Sequence, residues 1–108
     1  MIEQLQADAL HAWLADGTRA KPIVLDVRDP WEHEVCVIPD SKLLPMQEIP
    51  ARWQELPADA DIVVVCHHGM RSLQVAGFLK QSGLDRVYNL SGGIAAWAER
   101  VDPDMPRY

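Results

Sequence analysis

The sequence predicts an α/β fold, a single domain with a mainly parallel central sheet of about five strands and helices on both faces. Three observations carry this. Short strand-like runs at Ile23–Val27, Ile62–Val65 and Val87–Leu90 alternate with stretches of helical spacing, which is the pattern of βαβ units. Ile23–Val27 and Ile62–Val65 show little alternation of polar and apolar residues, which suits strands buried on both faces. At 108 residues the chain fits one domain, large enough to bury a core without disulfide or metal staples.

Ala9, Leu10, Trp13 and Leu14 recur at helical spacing and Gly17 follows as a stop, predicting a first helix. Ile23–Val27 is flanked by Pro22 and Pro30 and reads as a strand. Asp26 interrupts that strand, and a buried carboxylate needs a partner. Arg28 and Asp29 lie just past its end, the edge at which open α/β sheets bind ligands. Asp26 and Arg28 are read as a supporting brace rather than as groups that act on a substrate.

From Trp31 to Pro50 the pattern is irregular, with a helical turn at Trp31–Glu34 and a short strand at Lys42–Leu44 before Pro45. Ile49, Trp53 and Leu56 predict a second helix, with Pro50 in its first turn and Pro57 beyond its end. Leu73, Val75, Ala76, Phe78 and Leu79 predict a helix with one broad apolar face, closed by Gly83. Val87–Leu90 is a further strand, and Ile94, Trp97, Ala98 and Val101 mark a last helix. The domain is taken as residues 1–108, of which 102–108 are too rich in proline for a helix and form an irregular tail that hugs the surface or frays.

The net charge of −6 leaves no broad basic footprint, so nucleic acid and anionic membrane surfaces are poor partners. Met1–Leu14 carries Glu3 and Asp8 and has no basic start or apolar core, unlike a signal peptide, and no membrane span is visible. Two cysteines do not make a disulfide framework. A cytoplasmic monomer is the expectation.

The chemistry is concentrated where the run Val63–Val65 ends at Cys66-His67-His68-Gly69-Met70-Arg71-Ser72. In a strand–loop–helix unit the loop N–H groups and the helix N-terminus converge on one point, and a thiol there meets a positive potential that favours thiolate. A space-filling cysteine belongs inside an element, whereas Cys66 sits at a strand end before a glycine turn, so it is read as the nucleophile. Arg71 is a cation at a helix start, where cations are disfavoured, and this suggests a use. It either clamps an anionic substrate or pairs with a carboxylate that orients the loop.

His67 and His68 tempt a reading as a general base or metal site, but adjacent residues on a tight loop are expected to point apart. Their spacing with Cys66 also matches no common zinc site. Substrate contact or solvent exposure fits them better. Gly69 allows the loop to fold its N–H groups inward, and Ser72 caps or lines the helix start. Cys36 reads as a small apolar loop residue, with a second reactive thiol or a disulfide to Cys66 as the alternative. Ser91-Gly92-Gly93 reads as a turn near the same sheet edge.

The order of Leu25-Asp26-Val27-Arg28-Asp29-Pro30, Cys-x-x-Gly-x-Arg-Ser from Cys66, and Asn89-Leu90-Ser91-Gly92-Gly93-Ile94-Ala95-Ala96-Trp97 resembles the rhodanese-like sulfurtransferase family in its single-domain form. Nearly the whole chain is covered. The resemblance implies a Cys66 thiolate that takes sulfane sulfur from a donor such as thiosulfate or a persulfide. It then passes that sulfur to a thiol or cyanide-like acceptor, with a sulfur-relay protein as a further partner. It implies His67, His68, Gly69, Met70, Arg71 and Ser72 as substrate-binding residues and needs no metal or other cofactor.

The poorest match is Cys36-Val37-Ile38-Pro39-Asp40-Ser41, where the family has Gly-His-Ile-Pro-Gly-Ala. Losing both glycines removes backbone freedom and predicts a changed path for this loop. One enzyme rival is a cysteine phosphatase or arsenate reductase, but phosphatases place five residues between cysteine and arginine, whereas four separate Cys66 from Arg71. The non-enzyme rival is a sulfur-carrier or regulatory module acting with a partner protein.

Overall fold

The computed structural model describes residues 2–108. In chain order the elements are β1 (Glu3–Leu5), α1 (Ala7–Ala15), β2 (Ile23–Asp26), α2 (Pro30–Val35), β3 (Lys42–Leu43), α3 (Ile49–Arg52), β4 (Ile62–Val65), α4 (Met70–Gln81), β5 (Val87–Leu90) and α5 (Gly93–Arg100). The five strands form one sheet in the order β1-β5-β4-β2-β3, and every pairing is parallel. The expected fold class is the one found.

β4 lies at the centre, and its four residues are buried on both faces. Alternation along the strand sends Val63 and Val65 to a core formed with Leu10 and Trp13 of α1 and Ile94 and Trp97 of α5. Ile62 and Val64 go to the other core, with Ile49 of α3 and Val75, Ala76 and Leu79 of α4. Each such aliphatic side chain stabilises the fold by about 1.5–3 kcal/mol when fully buried. β2 pairs with β4 from Ile23–Ile62 to Asp26–Val65, so both strands end at the same edge and deliver Arg28 and Cys66 to one region.

Several expectations are corrected. β1 was not anticipated; three residues, Glu-Gln-Leu, carry too little β-character to stand out, yet Glu3–Leu5 pair with Tyr88–Leu90. In α1 the inward stripe takes Ala7, Leu10 and Trp13, and Ala9 is exposed. In α4 the buried stripe is Ser72, Val75, Ala76 and Leu79, at spacings of three and four, which leaves Leu73 and Phe78 on the solvent side. The helix expected around Ile49–Leu56 is three short pieces: α3 flanked by 3₁₀ turns at Met46–Glu48 and Trp53–Glu55. The break falls at Arg52, whose φ of −127° leaves the helical region.

The loss of glycine at position 40 does not require a new path, because Asp40 itself takes the left-handed conformation at φ +65°. Aspartate tolerates that region better than most side chains. Cys36, at φ −162°, is in extended backbone that any residue adopts.

The tail follows the surface. Met105 is buried against the α1/α5 core, and Arg107 Nη2 donates to the Ala98 carbonyl at 3.1 Å. Among the described residues no helix is long and apolar enough to cross a membrane.

Candidate active site

Cys66 follows the last residue of β4 and is buried, at 1% exposure. The loop behind it is fixed from α5: Ile94 N–H donates to the Cys66 carbonyl at 2.8 Å and Ala95 N–H to that of His67 at 3.0 Å. This close approach explains Gly93, where a Cβ would collide with both carbonyls and φ is +61°. Gly69 has φ +104° and forms the N-cap of α4, which turns its N–H onto Cys66 Sγ at 3.1 Å. Ser72 makes no capping bond; its hydroxyl faces inward, 3.3 Å from Sγ and in hydrogen-bond contact with Asn89 Oδ1.

The carboxylate alternative holds for Arg71. Its Nη1 and Nη2 donate to the two oxygens of Glu32, each at 2.8 Å. Glu32 is buried, and its remaining lone pairs accept from the Asp29 N–H and the Tyr108 hydroxyl, each at 2.9 Å. The Arg71 fork, aided by the other two bonds, outweighs burial and pulls the Glu32 carboxyl down to about 2.

Asp26 and Arg28 form the expected brace. Arg28 is fully buried and grips Asp26 through Nε at 2.9 Å and Nη2 at 2.6 Å. Its other donors reach the carbonyls of Glu32 and Cys36 and the hydroxyl of Tyr108. Burial alone would push the guanidinium toward neutrality, but the bonds to Asp26 and Tyr108 prevail and hold its pKa above the ordinary arginine value. The brace ties β2 to the base of α2 and so to Glu32 and Arg71.

The two histidines do not point apart. Their rings stack at a centroid separation of 4.1 Å, and His67 stacks on Tyr108 at 4.0 Å. Burial first, then His68, lowers the pKa of His67 below the ordinary histidine value. His68 is exposed, and Met70 is 72% exposed, so both stand at the mouth of the loop. Cys36 and Cys66 are free thiols. Cys36 lines a pocket of about 170 Å³ together with His67, His68, Ile94 and Tyr108. A larger groove of about 520 Å³ runs between α1, α5 and the Pro39–Asp40 turn and includes no residue of the Cys66 loop.

The sequence reading missed Glu32, Asn89 and Tyr108. The spacing Asp29-x-x-Glu32 at the start of α2 is a capping-box pattern that could have marked Glu32. Asn89 is an amide inside an otherwise hydrophobic strand, a second usable signal. Tyr108 lies in an irregular tail and carries none.

The family model for the rhodanese-like domain matches residues 6–100. The chain belongs to the rhodanese-like family. Among relatives of this rhodanese-like domain, a sulfurtransferase from Allochromatium vinosum is 42% identical over 103 residues, covering 95% of this chain and 94% of that one. The probable adenylyltransferase/sulfurtransferase MoeZ of Mycobacterium tuberculosis is 36% identical over 101 residues, which are 92% of this chain but only 25% of MoeZ. Among solved structures, a rhodanese-related protein from Thermoplasma volcanium superposes with a TM-score of 0.82 at 32% identity, covering 92% of this chain and 93% of that one. These likenesses support a role in sulfur transfer.

Proposed function

We propose that this rhodanese-like domain moves sulfane sulfur from a donor such as thiosulfate to a thiol acceptor through a persulfide on Cys66. The observation that carries the reading is the placement of Cys66 Sγ at the end of the central strand, under the Gly69 N–H and beside the Ser72 hydroxyl. The Cys66 thiolate attacks the outer sulfur of thiosulfate; the S–S bond breaks and sulfite leaves with the electron pair. An acceptor thiolate then attacks the terminal sulfur of the persulfide, becomes a persulfide itself and returns Cys66 as thiolate. The Gly69 N–H on Sγ and the N-terminus of α4 behind it stabilise negative charge there without a metal or other cofactor. In this reading His67, His68 and Met70 face the substrate, Gly69 turns the loop N–H onto the sulfur, and Arg71 and Ser72 act from behind the loop, through Glu32 and Asn89, with Asp26 and Arg28 in support. A reducing, cytoplasmic setting belongs to the proposal, since acceptor thiols are kept reduced there.

A second reading makes the domain a sulfur-carrier module whose partner protein supplies specificity. It is favoured by Trp31 and Met70, large apolar side chains left 57% and 72% exposed on α2 and at the start of α4. Poor turnover with small thiols alongside efficient persulfide formation would select it.

The test is mass spectrometry of the intact protein after incubation with thiosulfate. One added sulfur is expected, lost in Cys66→Ser and retained in Cys36→Ser. The reverse result would make Cys36 the carrier and sink the proposal.

A further inference from the structure

The polar groups behind Cys66 leave one proton for two acceptors. Ser72 and Asn89 are buried, at 0% and 2% exposure. Asn89 Nδ2 donates to the Gly69 carbonyl at 3.2 Å and to Gln4 Oε1 at 3.0 Å. A backbone carbonyl only accepts, so the carboxamide is fixed with its nitrogen toward Gly69 and its oxygen toward Ser72. A carboxamide oxygen also only accepts, so the contact between Ser72 Oγ and Asn89 Oδ1 uses the single hydroxyl proton of Ser72.

Cys66 Sγ lies 3.3 Å from that same Oγ. With its proton on Asn89, Ser72 offers the sulfur only lone pairs, which suit the S–H of a thiol. A thiolate is the opposite case: it only accepts. The hydroxyl then has to turn to Sγ, and Asn89 Oδ1 loses its donor in a buried place where an unmet acceptor is costly. The Gly69 N–H on Sγ and the Gly69 carbonyl on Nδ2 close these contacts into a ring.

We propose that Asn89 is a positioning residue that holds the Ser72 proton away from Cys66, so that forming the thiolate requires this proton to swing from Asn89 Oδ1 to Sγ. No bond order changes in the swing; the thiol proton leaves to solvent and the Ser72 O–H only reorients. The inference goes beyond the sulfur-transfer reading and rests on it only for Cys66 as the reacting thiol. It gives Asn89 and Ser72 opposite signs: removing the Asn89 acceptor frees the hydroxyl for the sulfur, whereas removing the hydroxyl deprives the thiolate of a donor. An amide with a merely structural role would not produce that opposition.

The charged and titratable groups around Cys66 are Arg71 on α4, Glu32 bound to it from α2, and His67 and His68 on the loop. Arg71 is held protonated by its hydrogen bonds to Glu32. All four stay in place in the variants below, so their effects cancel in the comparison.

The experiment follows alkylation of Cys66 by iodoacetamide, located by peptide mapping. The measured quantity is the rate at about pH 6 divided by the plateau rate that the same variant reaches at high pH. Asn89→Leu should raise this ratio about threefold and Ser72→Ala should lower it about tenfold, the sizes expected for losing a neutral and a charge-assisted hydrogen bond. The double variant should match Ser72→Ala, because the Asn89 effect passes through Ser72. A ratio that falls or stays level in Asn89→Leu, or an Asn89 effect that persists without Ser72, would overturn the proposal.

If Asn89→Leu fails to fold, the wild type decides. Its Asn89 carboxamide carbon resonance should shift as Cys66 ionises and should stay fixed in Ser72→Ala, and a constant resonance in the wild type overturns the idea. Neither measurement depends on persulfide formation, so failure here is separable from failure of the sulfur-transfer reading.

Discussion

Arg71 and Glu32 meet fork to fork, with both guanidinium nitrogens 2.8 Å from the two carboxylate oxygens. The pair joins the first turn of α4, next to the Cys66 loop, to the start of α2 beside the Asp26–Arg28 brace. Lysine in place of Arg71 keeps the charge but reaches only one oxygen and loses the planar geometry. Arg71→Lys is therefore expected to lower kcat/KM with thiosulfate by about tenfold, the value of one charge-assisted bond. Glu32→Gln should act in the same direction. Unchanged kinetics in both variants would reduce the pair to a structural tie.

Acid stability follows from the same carboxylate. Its folded-state pKa is depressed to about 2 from 4.5, so its contribution is fully present above about pH 4.5 and disappears as pH falls toward 2. The side chain of Arg71 is 36% exposed, so solvent screening reduces the contribution to about 2 kcal/mol. Urea unfolding should show the wild type losing its advantage over Glu32→Gln between about pH 5 and pH 2. An advantage that stays constant across that range would show that Glu32 does not titrate as its contacts require.

Much of the sheet was legible because β2 and β4 are dense in β-branched residues and are bounded by proline or by the Cys66 turn. β1 was not, since its three residues are recognisable only through their pairing with β5. The strand–loop–helix geometry at Cys66 was legible from Cys66, Gly69 and the broken helix-terminus rule at Arg71. The partner of Arg71 was not read, although Glu32 stood at a capping-box position, because sequence spacing does not say which carboxylate 39 residues away will face the loop. The histidine stack depends on Tyr108, brought in by a tail whose course is set by burial of Met105 and not by any periodic pattern.

Gly93 offers a test of the support behind the loop. A Cβ there would strike the Cys66 carbonyl and would lie 2.5 Å from that of His67, and φ is +61°. Neither backbone group can move without losing the bonds from Ile94 and Ala95. Gly93→Ala is expected to destabilise the domain by about 2–4 kcal/mol, combining the left-handed strain with two disturbed hydrogen bonds. Persulfide formation on Cys66 should fall even in the fraction that remains folded. Gly17→Ala is the control, because a Cβ at Gly17 meets no atom within 4 Å. Equal stability of the two variants, measured by thermal unfolding, would contradict this account.

The domain should show negligible phosphatase activity. Four residues separate Cys66 from Arg71, one fewer than in the cysteine-phosphatase loop, so the loop has less backbone with which to surround a tetrahedral phosphoryl group. The arrangement of donors points the same way. Arg71 spends both terminal nitrogens on Glu32 instead of presenting them above Sγ, and the loop amide in contact with Sγ is that of Gly69. A phosphoryl group developing charge on its equatorial oxygens would lack the dense donors that phosphoryl transfer relies on. A single sulfur added to Sγ carries its charge on one atom and asks for less. The assay compares aryl phosphate hydrolysis by the wild type, by a one-residue insertion after Gly69 and by Cys66→Ser as the blank. Activity is expected, if anywhere, in the insertion variant; Cys66-dependent hydrolysis by the wild type at about 1 per second or faster would favour a phosphatase over a sulfurtransferase.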